Sequence, residues 1–205
     1  MAFRIAVLIS GTGSLLQALL DAEAAGELNA EVAVVGADRA DARGLQRAAE
    51  AGVPSFVHPF VRGSDRAAWD AELTELVAAH DVDLVVLAGF MKLVGPVFLA
   101  RFGGRTINTH PALLPSFPGM HGPRDALEHG VKITGITVFE VDAGVDTGRI
   151  LAQEAVRVLP EDTEETLHER IKVVERRILV DFVNEYAGKT LRQAQGSSVN
   201  KEYHD

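Results

Sequence analysis

Asn108 and His110 stand two residues apart in the stretch Thr106-Ile107-Asn108-Thr109-His110-Pro111. If the strand that starts at Thr106 continues to His110, both side chains leave from one face, because strand side chains alternate with a period of two. Pro111 supports that course by biasing His110 toward extended backbone. An amide and an imidazole at the C-terminal end of a parallel strand occupy the edge where open α/β sheets bind ligands. A polar strand end with a capping histidine is the plainer alternative. The acidic glycine loop Asp142-Ala143-Gly144-Val145-Asp146-Thr147-Gly148 reads as a hairpin turn and supplies a carboxylate. Should it meet the strand end, Asp146 stabilises an imidazolium at His110. The histidine then moves protons or polarises a carbonyl oxygen, and Asn108 donates to a developing oxyanion. The chemistry this favours is direct attack of one bound substrate on the carbonyl of another.

Other chemistries fit less well. There is no cysteine and no G-x-S-x-G elbow, so covalent hydrolysis through a thiolate or an elbow serine is disfavoured. Histidines at 58, 80, 110, 121, 129, 168 and 204 form no H-x-x-x-H pair, and no metal is expected. A net charge of −9 argues against a general polyanion or nucleic-acid binder, leaving room for a local basic pocket. No apolar run reaches the roughly 18–20 residues of a membrane span. The opening MAFRIAVLIS reads as structure and not as a signal peptide, and the expected setting is cytoplasmic.

These residues need a frame. Residues 4–9 are a continuous apolar run, as in a strand buried on both faces. The run enters Ser10-Gly11-Thr12-Gly13-Ser14 and a helix over 15–25 with Leu16, Leu19 and Leu20 on one side. Strand, glycine turn and helix N-terminus together make an anion site. Position 16 is leucine where G-x-G-x-x-G needs glycine, and Gly36-Ala37-Asp38-Arg39 matches the closing acid weakly. A single phosphate therefore fits better than a dinucleotide, with an unliganded turn as the alternative. Further strands are expected at 31–36, 54–58, 83–88, 106–109, 133–141 and 150–158. Helices are expected over 42–51, 65–80, 96–101, 124–128 and 161–186, the last capped at Asp162 or Thr163. Trp69 reads as a core anchor. Arg66 opposes the dipole of its helix and suggests an anionic neighbour. The apolar loop Gly89-Phe90-Met91-Lys92-Leu93-Val94 must pack or line a pocket. This alternation predicts an α/β, Rossmann-like, mainly parallel open sheet with helices on both faces. A single domain is expected over 1–188, with 189–205 as a polar, flexible tail.

Four motifs occur in order: Leu8-Ile9-Ser10-Gly11-Thr12-Gly13-Ser14, Leu87-Ala88-Gly89-Phe90-Met91-Lys92, Asn108-Thr109-His110-Pro111-Ala112-Leu113-Leu114-Pro115 and Gly144-Val145-Asp146-Thr147-Gly148. Together they resemble the phosphoribosylglycinamide formyltransferases of the folate-dependent formyltransferase superfamily, over about residues 4 to 186. The resemblance implies the formyltransferase fold. It also implies transfer of the formyl group of 10-formyltetrahydrofolate to the amine of phosphoribosylglycinamide in de novo purine synthesis. His110 would transfer protons and polarise the carbonyl, Asn108 would stabilise the oxyanion, and Asp146 would keep His110 protonated. Gly11, Thr12, Gly13, Ser14 and Leu15 would hold the ribose phosphate, and Glu175 would contact the nucleotide. Arg66, Met91, Lys92, Leu93 and Val94 would bind folate together with Asn108. So would Val141, Asp142, Ala143, Gly144 and Val145. His121 matches a second active-site histidine. The folate is a cosubstrate and no metal is implied; the partners are small molecules, not nucleic acid or membrane, and a homodimer stays open. Two positions depart from the family pattern, Leu15 where asparagine is common and Lys92 where arginine is frequent.

A formyltetrahydrofolate deformylase resembles this chain too, but carries a regulatory domain ahead of the catalytic one, whereas here the chain starts at the first strand. A methionyl-tRNA formyltransferase would need an added basic C-terminal domain. A non-catalytic Rossmann-like nucleotide-binding module would explain the glycine turn and leave Asn108, His110 and Asp146 without a use.

Overall fold

The computed structural model describes residues 2–199, with side chains through 192. β1 (Arg4–Ile9) is the third strand in a seven-stranded sheet of order β3-β2-β1-β4-β5-β6-β7. β2 (Glu31–Ala37), β3 (Ser55–Val57), β4 (Leu84–Leu87) and β5 (Thr106–His110) run parallel to it. β6 (Ile133–Glu140) is antiparallel to β5, and β7 (Ile150–Arg157) is antiparallel to β6. The fold is thus the single-domain, mainly parallel α/β sheet expected. Pairing of β1 with both β2 and β4 makes it the point where the strand order reverses, and such points open a crevice at the C-terminal edge.

Helices cover both faces. Ile5, Val7 and Ile9 of β1 pack with α1 (Ser14–Ala24) and α6 (Glu164–Val199), while Ala6 and Leu8 pack with α3 (Arg66–Ala78) and α4 (Pro96–Phe102). α2 (Arg43–Glu50) and α5 (Gly122–Glu128) complete the set. Trp69 is buried against Phe60 and stacked on His58, so it is a core anchor.

One buried carboxylate fixes the join of two helices. Asp70 of α3 accepts from the amides of Gly95 (2.6 Å), Val97 (2.9 Å) and Phe98 (3.2 Å) at the start of α4. Pro96 has no N–H to satisfy, and a Cβ on Gly95 would lie 2.5 Å from the Asp70 carboxyl carbon. Asp70→Ala orphans three helix-start amides and is expected to cost about 3 kcal/mol in urea unfolding. A loss below about 1 kcal/mol would contradict this role.

Most boundaries fall within one or two residues of expectation, and the last helix differs by more. The last helix begins at Glu164 and not at 161, because Thr163 caps it: its Oγ1 accepts from the Thr166 amide (3.2 Å), and the Thr166 hydroxyl accepts from the Thr163 amide (3.0 Å). It also continues past 186 to Val199, so much of the expected tail is helical. Gly188 alone does not stop it; Lys189, Leu191, Arg192 and Gln193 are good helix formers, and Lys189 pairs with Glu185 one turn back. The last six residues of the expected tail, 200–205, lie outside the described residues.

Candidate active site

β5 carries its residues as the alternation predicts. Thr106 turns toward α4, where its hydroxyl donates to the Phe102 carbonyl (2.9 Å), so Asn108 and His110 leave from that same face. Thr109 points to the other face, where its hydroxyl donates to Glu175 of α6 (2.7 Å). The strand therefore divides the expected site residues between two faces.

His110 is buried, and both ring nitrogens meet acceptors. Nε2 donates to the Phe117 carbonyl (2.7 Å), and Nδ1 lies 3.5 Å from Asp146 Oδ2. Asp146 is itself held, accepting from the Gly119 amide (2.7 Å), with its backbone at φ 54°. The connector that carries it follows an indirect path. The Val141 amide donates to the Thr106 carbonyl at the start of β5, yet Asp146 reaches His110 at the strand's end. The connector thus doubles back along a strand about 13 Å long. Asp142 stabilises its turn by accepting from the Gly144 amide (2.9 Å) and the Thr147 hydroxyl (2.7 Å). The Asn108 amide oxygen accepts from the Thr109 N–H (2.9 Å), leaving its NH₂ group as the donor for a ligand. Thr137, which the sequence did not single out, ties down the segment after His110. Its hydroxyl donates to the Ala112 carbonyl (2.7 Å) and accepts from the Leu114 amide (3.0 Å), and Gln153 braces both.

The glycine turn has the properties of an anion site. Gly13 sits at φ 69° just before α1, and the first helix bond runs from Gln17 N–H to Gly13. The amides of Ser14 and Leu15 therefore lack an intrahelical acceptor, and no acidic residue occupies the first turn. Gly11 and Thr12 are exposed. The Leu15 side chain is buried in the core, so that residue can offer only its backbone. Arg47 of α2, also missed, adds positive charge: its Nε donates to the Thr12 carbonyl (2.9 Å). A groove of about 830 Å³ opens beside this turn between α1 and α6, lined by Ser14, Gln17, Arg47, Arg176 and Arg177.

On the other face the loop after β4 exposes Met91 and Leu93 and buries Phe90 and Val94. Val141 packs against the cluster that includes Phe90 and Val94. Asp142, Ala143, Gly144 and Val145 are exposed beside it. Among the described residues no carboxylate forms a salt bridge with Arg66. Its guanidinium lies 4.4 Å over Trp69 and 4.9 Å over Phe60 and donates to the Leu93 carbonyl, so π faces and a carbonyl satisfy the charge. Lys92 turns inward to Asp38, at 3.2 Å. His121 stands exposed at the start of α5 without a capping bond, and the adjacent Gly122 approaches the His110 ring. Among the described residues no cluster of three or more His, Asp or Glu could hold a metal.

Burial raises the pKa of Glu175 above the usual glutamate value, with the Thr109 hydroxyl opposing the shift. The folded state then binds a proton more tightly than the unfolded chain, so stability falls as pH rises from the unfolded glutamate value through the folded one. Glu175→Gln is expected to remove that fall, making the variant more stable than wild type at neutral pH. Parallel unfolding curves for the two proteins from pH 4 to 8 would contradict it.

An open sheet with an Asn–His–Asp set at one strand end and an anion turn two strands away defines a class. Residues 3–183 match the formyl transferase family, and the chain belongs to that family. It is 61% identical to a phosphoribosylglycinamide formyltransferase of Mycobacterium tuberculosis, over 88% of this chain and 83% of that one. It is 48% identical to the trifunctional purine biosynthetic protein adenosine-3 of Drosophila melanogaster, over 88% of this chain and 14% of that longer protein. The crystal structure of glycinamide ribonucleotide transformylase 1 from Symbiobacterium toebii superposes with a TM-score of 0.88 at 49% identity, covering 91% of this chain and 88% of that one.

Proposed function

We infer that this chain transfers the formyl group of 10-formyltetrahydrofolate to the amine of phosphoribosylglycinamide, giving formyl-phosphoribosylglycinamide and tetrahydrofolate in purine synthesis. The observation that carries the reading is the division of the site along the C-terminal sheet edge. The anion turn follows β1, and His110 ends β5, two strands across, or about 10 Å. That distance suits a ribose phosphate whose glycyl amine reaches the histidine. Gly11, Thr12, Gly13, Ser14 and the Leu15 amide hold the phosphate, and Glu175 with Thr109 meets the sugar from the α6 side. The folate lies on the opposite face, between Met91–Val94 and Val141–Val145, with Arg66 buttressing the pocket wall.

The amine attacks the formyl carbon, and Asn108 donates to the oxygen that gains charge. The 3.5 Å between His110 Nδ1 and Asp146 Oδ2 is too long for a hydrogen bond. A hydroxyl of the tetrahedral intermediate placed on that edge completes the network, and His110 carries protons between the attacking amine and the departing folate nitrogen. Each chemical step is a proton or acyl transfer, and these side chains suffice for it.

The names of the relatives favour transfer over hydrolysis. The test is absorbance-detected release of deformylated folate from a 10-formyl donor, with and without the nucleotide. Release that requires the nucleotide supports transfer; equal release without it makes water the acceptor and the enzyme a deformylase.

A further inference from the structure

Asp38 follows directly after β2, beside the glycine turn, where its backbone N–H donates to Ile9 (3.4 Å). Its side chain is 1% exposed, and neither carboxylate oxygen has a hydrogen-bond partner among the described residues. The other buried carboxylate of this region, Asp70, accepts from three amides. A carboxylate desolvated without hydrogen bonds is costly to a fold, and a lone ion pair does not repay that cost. Asp38 is therefore poorly explained by stability. Among the described residues the cation in contact with it is Lys92, whose Nζ lies 3.2 Å from Oδ2 and whose side chain is only partly exposed, while the neighbouring Arg39 pairs with Asp41.

Lys92 sits in the middle of the loop that exposes Met91 and Leu93. That loop is fastened on either side of it, by the Met91 amide to Ser10 Oγ (2.7 Å) and by the Gly95 amide to Asp70 (2.6 Å). Between those points, Arg66 holds the Leu93 carbonyl and the Lys92–Asp38 pair ties the loop to the end of β2 by charge. We propose that Asp38 is a positioning residue for the folate side of the site: its carboxylate holds Lys92, and through Lys92 sets the exposed Met91 and Leu93 in the geometry that receives the folate. The proposal rests on the formyl-transfer reading, and it makes the Lys92 charge an internal brace and not a ligand of the folate.

The test compares Asp38→Asn, Lys92→Met and the double variant by steady-state kinetics with both substrates and by thermal unfolding. Asp38→Asn is expected to raise KM for 10-formyltetrahydrofolate about tenfold, to leave KM for the nucleotide within about twofold, and not to lower Tm. Lys92→Met raises the folate KM similarly but lowers Tm, because it strands a buried charge. The double variant regains Tm without regaining the folate KM and shows no further rise. An unchanged folate KM in Asp38→Asn, or an equal rise in both KM values, overturns the proposal. So does a rise confined to Lys92→Met, since Lys92 would then touch the folate itself. Absence of nucleotide-dependent transfer in the wild type would defeat the reaction reading instead. Amide exchange over residues 89–95 then decides the positioning role: faster exchange in Asp38→Asn upholds it, and unchanged exchange overturns it.

Discussion

His110→Ala is expected to lower kcat about 10³-fold in a protein that stays folded. At the strand end the ring faces both a fixed carbonyl and a fixed carboxylate, and truncation to a methyl group removes the proton carrier from between them. Truncation leaves the Phe117 carbonyl without its donor, a loss of about 1–3 kcal/mol that the fold should survive. His110→Gln retains an N–H donor and separates the two effects. It should recover much of the stability and none of the turnover. A kcat within tenfold of wild type in the alanine variant would remove His110 from the chemistry and revive the non-catalytic nucleotide-binding reading.

Asp146→Asn is the second large effect, a fall of about 10² in kcat with KM values little changed. The amide can still sit beside His110, but it no longer offers a negative charge to an imidazolium that forms during the reaction. Its oxygen can still accept from the Gly119 amide, so the connector should stay in place and the variant should unfold near the wild-type temperature. Near-normal turnover across neutral pH would rule out the assigned role. A comparable loss of folate binding would indicate instead that Asp146 acts by shaping the connector.

What the sequence made legible was local or periodic. The buried run of β1, the glycine turn and the shared face of Asn108 and His110 each follow from spacing within a few residues. Asp146 lies 36 positions beyond His110, and only motif order joined them before the connector was seen to double back along β5. Contacts between distant elements stayed hidden for the same reason: Arg47 on Thr12, Thr137 and Gln153 on the segment after His110, Asp70 on α4 and Asp38 on Lys92 depend on tertiary placement. Arg66 rests on two aromatic rings within the chain, a contact that a cation in a first helical turn does not reveal. Leu15 belongs to the apolar stripe of α1, and its expected ligand role survives only in its backbone. The overrun of α6 past 186 reflects polar residues with high helix propensity, which composition alone reads as tail.

The most direct test of the central claim follows the formyl carbon itself. With 10-[¹³C-formyl]tetrahydrofolate and the nucleotide, carbon NMR should place the label in the formamide of the nucleotide product, with no labelled formate and with one tetrahydrofolate released per product. Label appearing as formate while the nucleotide stays unmodified would contradict direct transfer and reassign Asn108, His110 and Asp146 to the activation of water.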